Sequence, residues 1–109
     1  MILEVAILDV RPGQEADFEA AFARASPILA GMRGYVTHQL RRCMEDRSRY
    51  ILLVEWATIE DHIVGFRGSP EYQEWKQLLH HFYDPFPVVE HYEVEPGHLS
   101  IEAGPVAVD

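Results

Sequence analysis

Apolar and polar positions along the chain switch between a period of two and a period near 3.6, and the switches mark its elements. Ile2 to Val10 is rich in β-branched and aliphatic residues and stops at Arg11-Pro12-Gly13, which predicts a strand and a turn. From Gln14 onward, Phe18, Ala21, Phe22, Ala25, Ile28 and Leu29 recur at helical intervals. The spacing predicts a helix with one apolar stripe that fades near Ala30, ahead of Gly31 and Gly34. Glu15, Asp17 and Glu19 early and Arg24 late suit its dipole. Tyr35 to Met44 reads as a second strand, Glu45-Asp46-Arg47-Ser48 as a polar turn, and Tyr50 to Trp56 as a third strand. The short link makes the last two a hairpin. The unbroken apolar run Ile51 to Val54 is what a strand covered on both faces carries.

Thr58, with Asp61 three residues on, resembles a capping box and opens a short helix that runs to about Phe66. Ser69-Pro70 restarts a helix, with Ser as N-cap and Pro at the first helical position. Tyr72, Trp75, Leu79 and Phe82 form its apolar face, and Asp84-Pro85 ends it. Pro87 to Glu95 is the fourth strand. Residues 1–95 therefore form one domain, and a tail follows over 96–109, where Leu99 to Glu102 offers a short extra strand.

The order β-α-β-β-α-β is the ferredoxin-like, split βαβ pattern of the α+β class. Both helices then cover one face of a four-stranded antiparallel sheet. Apolar residues of both parities leave the other face in need of cover, and a second copy of the sheet is the simplest cover, so a homodimer is expected.

Length fits this picture, since 109 residues bury a limited core that a partner subunit would supplement. Eighteen acids against nine Lys and Arg give a net charge of −9, which disfavours nucleic acid and anionic membrane surfaces as partners. Cys43 is the single cysteine, so no disulfide closes within the chain, and a cytoplasmic, reducing location is the expectation. No apolar run approaches the roughly 20 residues of a membrane span. The apolar start MILEVAILDV carries Glu4 and Asp9 and lacks a basic segment, so it reads as a strand and not as a signal peptide. Gly-x-x-x-x-Gly-Lys, Gly-x-Gly-x-x-Gly and Gly-x-Ser-x-Gly do not occur, so neither a nucleotide cofactor nor a nucleophile elbow is indicated.

Several residues carry a likeness to a known family: Gly34-Tyr35, Arg42, Glu45-Asp46, Tyr50, Glu55-Trp56, Ile59-Glu60-Asp61-His62, Phe66, Ser69-Pro70-Glu71-Tyr72 and Val89-Glu90-His91-Tyr92. In these the chain resembles the antibiotic biosynthesis monooxygenases. The resemblance covers the domain without the tail, and it implies a dimeric α/β barrel. It also implies a cofactor-independent monooxygenase that oxidises a small aromatic or polyketide-like substrate with dioxygen. A haem-degrading branch shares the architecture. It uses an Asn, a Trp and a His where this chain has Ala6, Phe66 and Lys76, give or take one residue. Without that nitrogen donor an axial haem ligand is missing, so haem degradation ranks below the other readings.

Candidate chemistry centres on rings. His62 lies four residues before Phe66, which puts both on one helix face, although Ile59 and Ile63 compete for the core side. With a pKa near neutrality, His62 suits a general base that takes a proton from a phenol or hydroquinone; a structural histidine is the alternative. Tyr72 is the candidate donor to a substrate oxygen. Trp56, Phe66 and Trp75 are flat walls for an aromatic ligand or, equally, core. His38, with Val36 and Leu40 on its strand face, and His91, with Val89 and Glu93, either line the pocket or serve structure. His80 and His81 point about 100° apart on a helix and are expected at its exposed end, so no metal is indicated. Glu55 is expected to pair with Arg41 or Arg42 across the hairpin. A non-catalytic ligand-binding or structural dimer of the same fold stands as the alternative function, and oxygen uptake on an aromatic panel discriminates the two.

Overall fold

A computed structural model describes residues 1–94. The tail and its expected extra strand lie outside the described residues. Strand β1 (Ile2–Asp9) leads to helix α1 (Glu15–Ala30), the hairpin of β2 (Tyr35–Arg42) and β3 (Arg49–Trp56), a π-helical segment (Asp61–Phe66), helix α2 (Pro70–Leu79), a 3-10 turn (His80–Phe82) and β4 (Val89–Glu93). The sheet order is β2-β3-β1-β4 with every pair antiparallel, which is the ferredoxin-like α+β arrangement the patterning predicts.

The period of two fixes what faces the helices. Glu4, Ala6 and Leu8 of β1 and Tyr50, Leu52, Val54 and Trp56 of β3 point inward and are buried. The register sets Glu4 opposite Val54 on one side and His91 on the other, so a carboxylate stands mid-sheet among apolar neighbours. Helix α1 buries Phe18, Ala21, Phe22, Ala25 and Leu29 against this face. Phe18 meets Tyr50 at 4.9 Å between ring centroids, and Phe22 meets Trp75 of α2 at 5.8 Å, so aromatic contacts tie helix to sheet and helix to helix. The opposite face carries Leu3, Val5, Ile51 and Leu53 half-buried and Ile7 exposed, and no helix among the described residues covers it.

Local chemistry explains the second helical region. Thr58 and Asp61 exchange bonds as expected of a capping box. The Thr58 N–H donates to Asp61 Oδ2 at 3.2 Å, and the Asp61 N–H donates to Thr58 Oγ1 at 3.1 Å. The turn that follows is wider than the expected α-helix, since the Arg67 N–H reaches back five residues to the His62 carbonyl at 3.1 Å. His62 and Phe66 are both buried, while Ile63 is 41% exposed, so the competition for the core side goes to the histidine. Ser69 Oγ accepts from the Tyr72 N–H at 3.2 Å, with Pro70 opening α2.

Two strand expectations are corrected. A bulge between Tyr35 and Thr37 takes Val36 out of the ladder and leaves it 46% exposed, so Val36 does not share an inward face with His38. Arg42 pairs with Glu19 of α1 at 3.6 Å, and Arg41 donates to Gln39 at 2.9 Å; neither reaches Glu55, whose ladder partner on β2 is Thr37.

Candidate functional site

Between the helical layer and the inward face of the sheet lies a cavity of about 400 Å³. That is room for a ligand of two or three fused rings. Ala6 and Leu8 of β1 with Leu52 and Val54 of β3 line its sheet side, and Phe66, Tyr72 and Trp75 line its helix side. Glu4, His62, Arg67, His80 and Tyr83 supply the polar groups.

Glu4, the carboxylate on the inward row of β1, organises one end. Its Oε1 accepts the indole N–H of Trp56 at 3.0 Å and lies 3.3 Å from Nε2 of His62. His62 Nδ1 is in turn 2.8 Å from Nε2 of His91 on the neighbouring edge strand. One tautomer set satisfies every contact. Ionised Glu4 accepts from Trp56 and from His62 Nε2–H, and His62 Nδ1 accepts from His91 Nε2–H. The Trp56 indole also stacks on the His62 imidazole, with centroids 5.4 Å apart and planes 19° from parallel.

Burial governs the protonation states. It pushes the Glu4 carboxyl up from its ordinary value, and the Trp56 hydrogen bond and the Arg67 charge pull against that. Burial holds the His62 imidazole down at about 3, helped by the charges of Arg67 and His91. His91 is lowered by burial and then by Arg67. At neutral pH both rings are therefore neutral, and the His62–Glu4 contact is a hydrogen bond and not an ion pair.

Of the sequence-predicted site residues, His62, Phe66, Tyr72 and Trp75 meet in the cavity wall. Trp56 is fully buried and stands behind His62. His91 likewise touches His62 from behind. His38 is bonded to the Tyr35 hydroxyl and packs 5.9 Å from Phe22, away from the lining. His80, expected at the exposed end of the helix, is half-buried in the cavity wall, because α2 tightens into a 3-10 turn that swings it inward; His81 is exposed. Glu4, Arg67 and Tyr83 are additions to the predicted set. Glu4 had a signal: it is the one charged residue on the inward parity of β1. Among the described residues no group of three or more His, Cys, Asp or Glu side chains is arranged to hold a metal, and no helix is long and apolar enough to cross a membrane.

Comparison with known proteins identifies the family of the chain. The sequence profile of the family described as antibiotic biosynthesis monooxygenase matches residues 1–78. Protein YczJ of Bacillus subtilis is 59% identical over 93 residues, covering 85% of this chain and 98% of that protein. A crystal structure from Bordetella bronchiseptica that carries the same family name is 40% identical with a TM-score of 0.82, over 86% of this chain and 96% of that one. SnoaB of Streptomyces nogalater, a cofactor-independent oxygenase, shares the fold at 23% identity and a TM-score of 0.65, over 86% of this chain and 92% of that one.

Proposed function

Because the chain belongs to the antibiotic biosynthesis monooxygenase family, we propose that it oxidises a small electron-rich aromatic, of polyketide-like kind, with dioxygen and no cofactor of its own. One observation carries the reading: a hydrogen-bonded Glu4–His62 pair opens on a 400 Å³ cavity walled by Phe66, Tyr72 and Trp75. The fold shared with SnoaB adds support for chemistry without a cofactor.

The chemistry asks little of the protein. The substrate loses a proton from an acidic C–H or O–H, and the resulting anion supplies the electrons that reduce dioxygen. For a ring methylene the balance is CH2 + O2 → C=O + H2O. His62 is the base at the substrate once its Nδ1 is released from His91, and Glu4, which accepts from Nε2–H, stabilises the imidazolium that forms. An isolated imidazole held at about 3 is a weak base, so the carboxylate behind it is what makes the pair competent. Tyr72 donates to the substrate oxygen, and Phe66 and Trp75 flank the ring. Trp56 and His91 hold His62 in place from behind. His38 is not among the lining residues and has no part in binding in this reading.

The working unit in this reading is a homodimer in the cytoplasm. The half-buried row of Leu3, Val5, Ile51 and Leu53 has no cover among the described residues, and a second sheet supplies it. The single Cys43 suits a reducing compartment.

The low basicity of His62 favours one competing reading, a dimer that binds aromatics without turning them over. Oxygen uptake by pure, chelator-treated protein with anthrones, naphthols and hydroquinones separates the two. Substrate-dependent uptake supports the oxygenase; tight binding with no uptake supports the binding dimer.

A further inference from the structure

Five tyrosines divide into two groups. The hydroxyls of Tyr35, Tyr50 and Tyr92 are bonded to His38, Glu19 and Glu90. Those of Tyr72 and Tyr83 have no hydrogen-bond partner among the described residues, and these are the two tyrosines that line the cavity. Tyr83 is the more telling, since it is only 7% exposed. A buried tyrosine hydroxyl ordinarily finds a partner. No fully enclosed side-chain nitrogen or oxygen of the described residues lacks one, so the Tyr83 hydroxyl keeps some access to solvent, and Tyr83 lines the cavity.

The backbone fixes this residue firmly. Tyr83 forms a bridge with Val10, the Asp84 N–H donates to the Asp9 carbonyl at 2.9 Å, and the Tyr83 ring packs edge-on against Phe18 at 5.9 Å. Burial, with Tyr72 beside it, pushes its phenol up, so it remains a donor at neutral pH. A row of rings connects it to the base. His62 and Phe66 are 6.4 Å apart, Phe66 and Tyr72 5.2 Å, Tyr72 and His80 5.8 Å, and His80 and Tyr83 6.1 Å.

We propose that Tyr83 and Tyr72 form a donor pair that holds a carbonyl oxygen at the end of the cavity away from Glu4 and His62. Tyr83 is thereby a specificity residue, and the ligand it selects is a flat aromatic ketone whose acidic group lies on the opposite edge. The orientation rests on the function proposed above; the donor pair itself does not.

The test is equilibrium binding followed by tryptophan fluorescence, with Trp75 in the cavity wall as reporter. The probes are 1-tetralone and its hydrocarbon counterpart tetralin, neither of which needs oxygen to bind. Wild type should prefer the ketone by roughly 5- to 10-fold, the worth of a neutral hydrogen bond. Tyr83→Phe should remove most of that preference and leave tetralin affinity within about twofold. Equal binding of the two probes by wild type, binding of neither, or a preference that survives Tyr83→Phe overturns the proposal. If Tyr83→Phe does not fold, the wild-type preference and its reduction in Tyr72→Phe decide. A protein that prefers the ketone yet consumes no oxygen keeps the donor pair and loses the oxygenase reading.

Discussion

Nε2 of His62 stands 3.3 Å from Oε1 of Glu4, joining a helical turn to the centre of the sheet in a place with almost no access to water. Burial there suppresses charge on both groups, and that has consequences for pH.

The His62 ring should not titrate between pH 5 and 8, because its folded value of about 3 lies far below the ordinary 6.5. Between those two values the unfolded chain binds the proton and the folded one does not. Stability therefore rises with pH across that window and is lost as pH falls through it. Glu4 acts in the opposite sense: its raised value adds stability below about 4.5 that is lost as pH rises through the folded value. His62→Gln should flatten the acid limb of the urea-unfolding stability profile. An NMR titration that moves the His62 resonances with a midpoint near 6.5 would show that burial does not control this ring.

Removing the donor behind the carboxylate tests the same burial from another side. Trp56→Phe keeps an aromatic ring at this fully buried position but removes the pyrrole half of the indole, and with it the N–H that Glu4 accepts at 3.0 Å. The loss should be roughly 1–3 kcal/mol by chemical denaturation, and the Glu4 carboxyl should rise further. An unchanged midpoint would mean that the bond is not made in solution.

Gly34 positions the turn that carries His62. Its φ is +84°, and a Cβ there would meet the Asp61 carboxylate at 2.1 Å, the group that caps the turn. Gly13 has φ +90° with nothing within 4 Å. Gly13→Ala should cost about 1–2 kcal/mol from backbone conformation alone, and Gly34→Ala roughly 1–2 kcal/mol more. Equal costs in parallel melts would rule out the steric part of the argument.

The uncovered sheet face predicts assembly. Light scattering should give a dimer at micromolar concentration, with an interface above about 1,000 Å². Leu53→Glu, opposite Val5 on that face, should yield monomers. A monomeric wild-type protein would contradict the homodimer.

Much of this fold is legible in the sequence. Period-two and period-3.6 stripes locate all the major elements, and Thr58, Asp61, Ser69 and Pro70 announce two helix starts through chemistry local to the chain. Long-range placement was harder to read. The Val36 bulge shifts register in a way no stripe encodes. His80 and Tyr83 follow the last regular turn of α2, where spacing no longer dictates direction, and so their cavity positions were missed. Glu4 was readable in principle, since a carboxylate on an inward strand position must find partners or lose its charge.

The central claim is that Glu4 and His62 act together on a substrate in the cavity. Its most direct measurement is oxygen consumption by His62→Ala and Glu4→Gln beside wild type, on whichever hydroxy-aromatic the wild type oxidises. Each variant, folded by circular dichroism, should turn over roughly 10²- to 10⁴-fold more slowly. Turnover by either folded variant at the wild-type rate would contradict the claim.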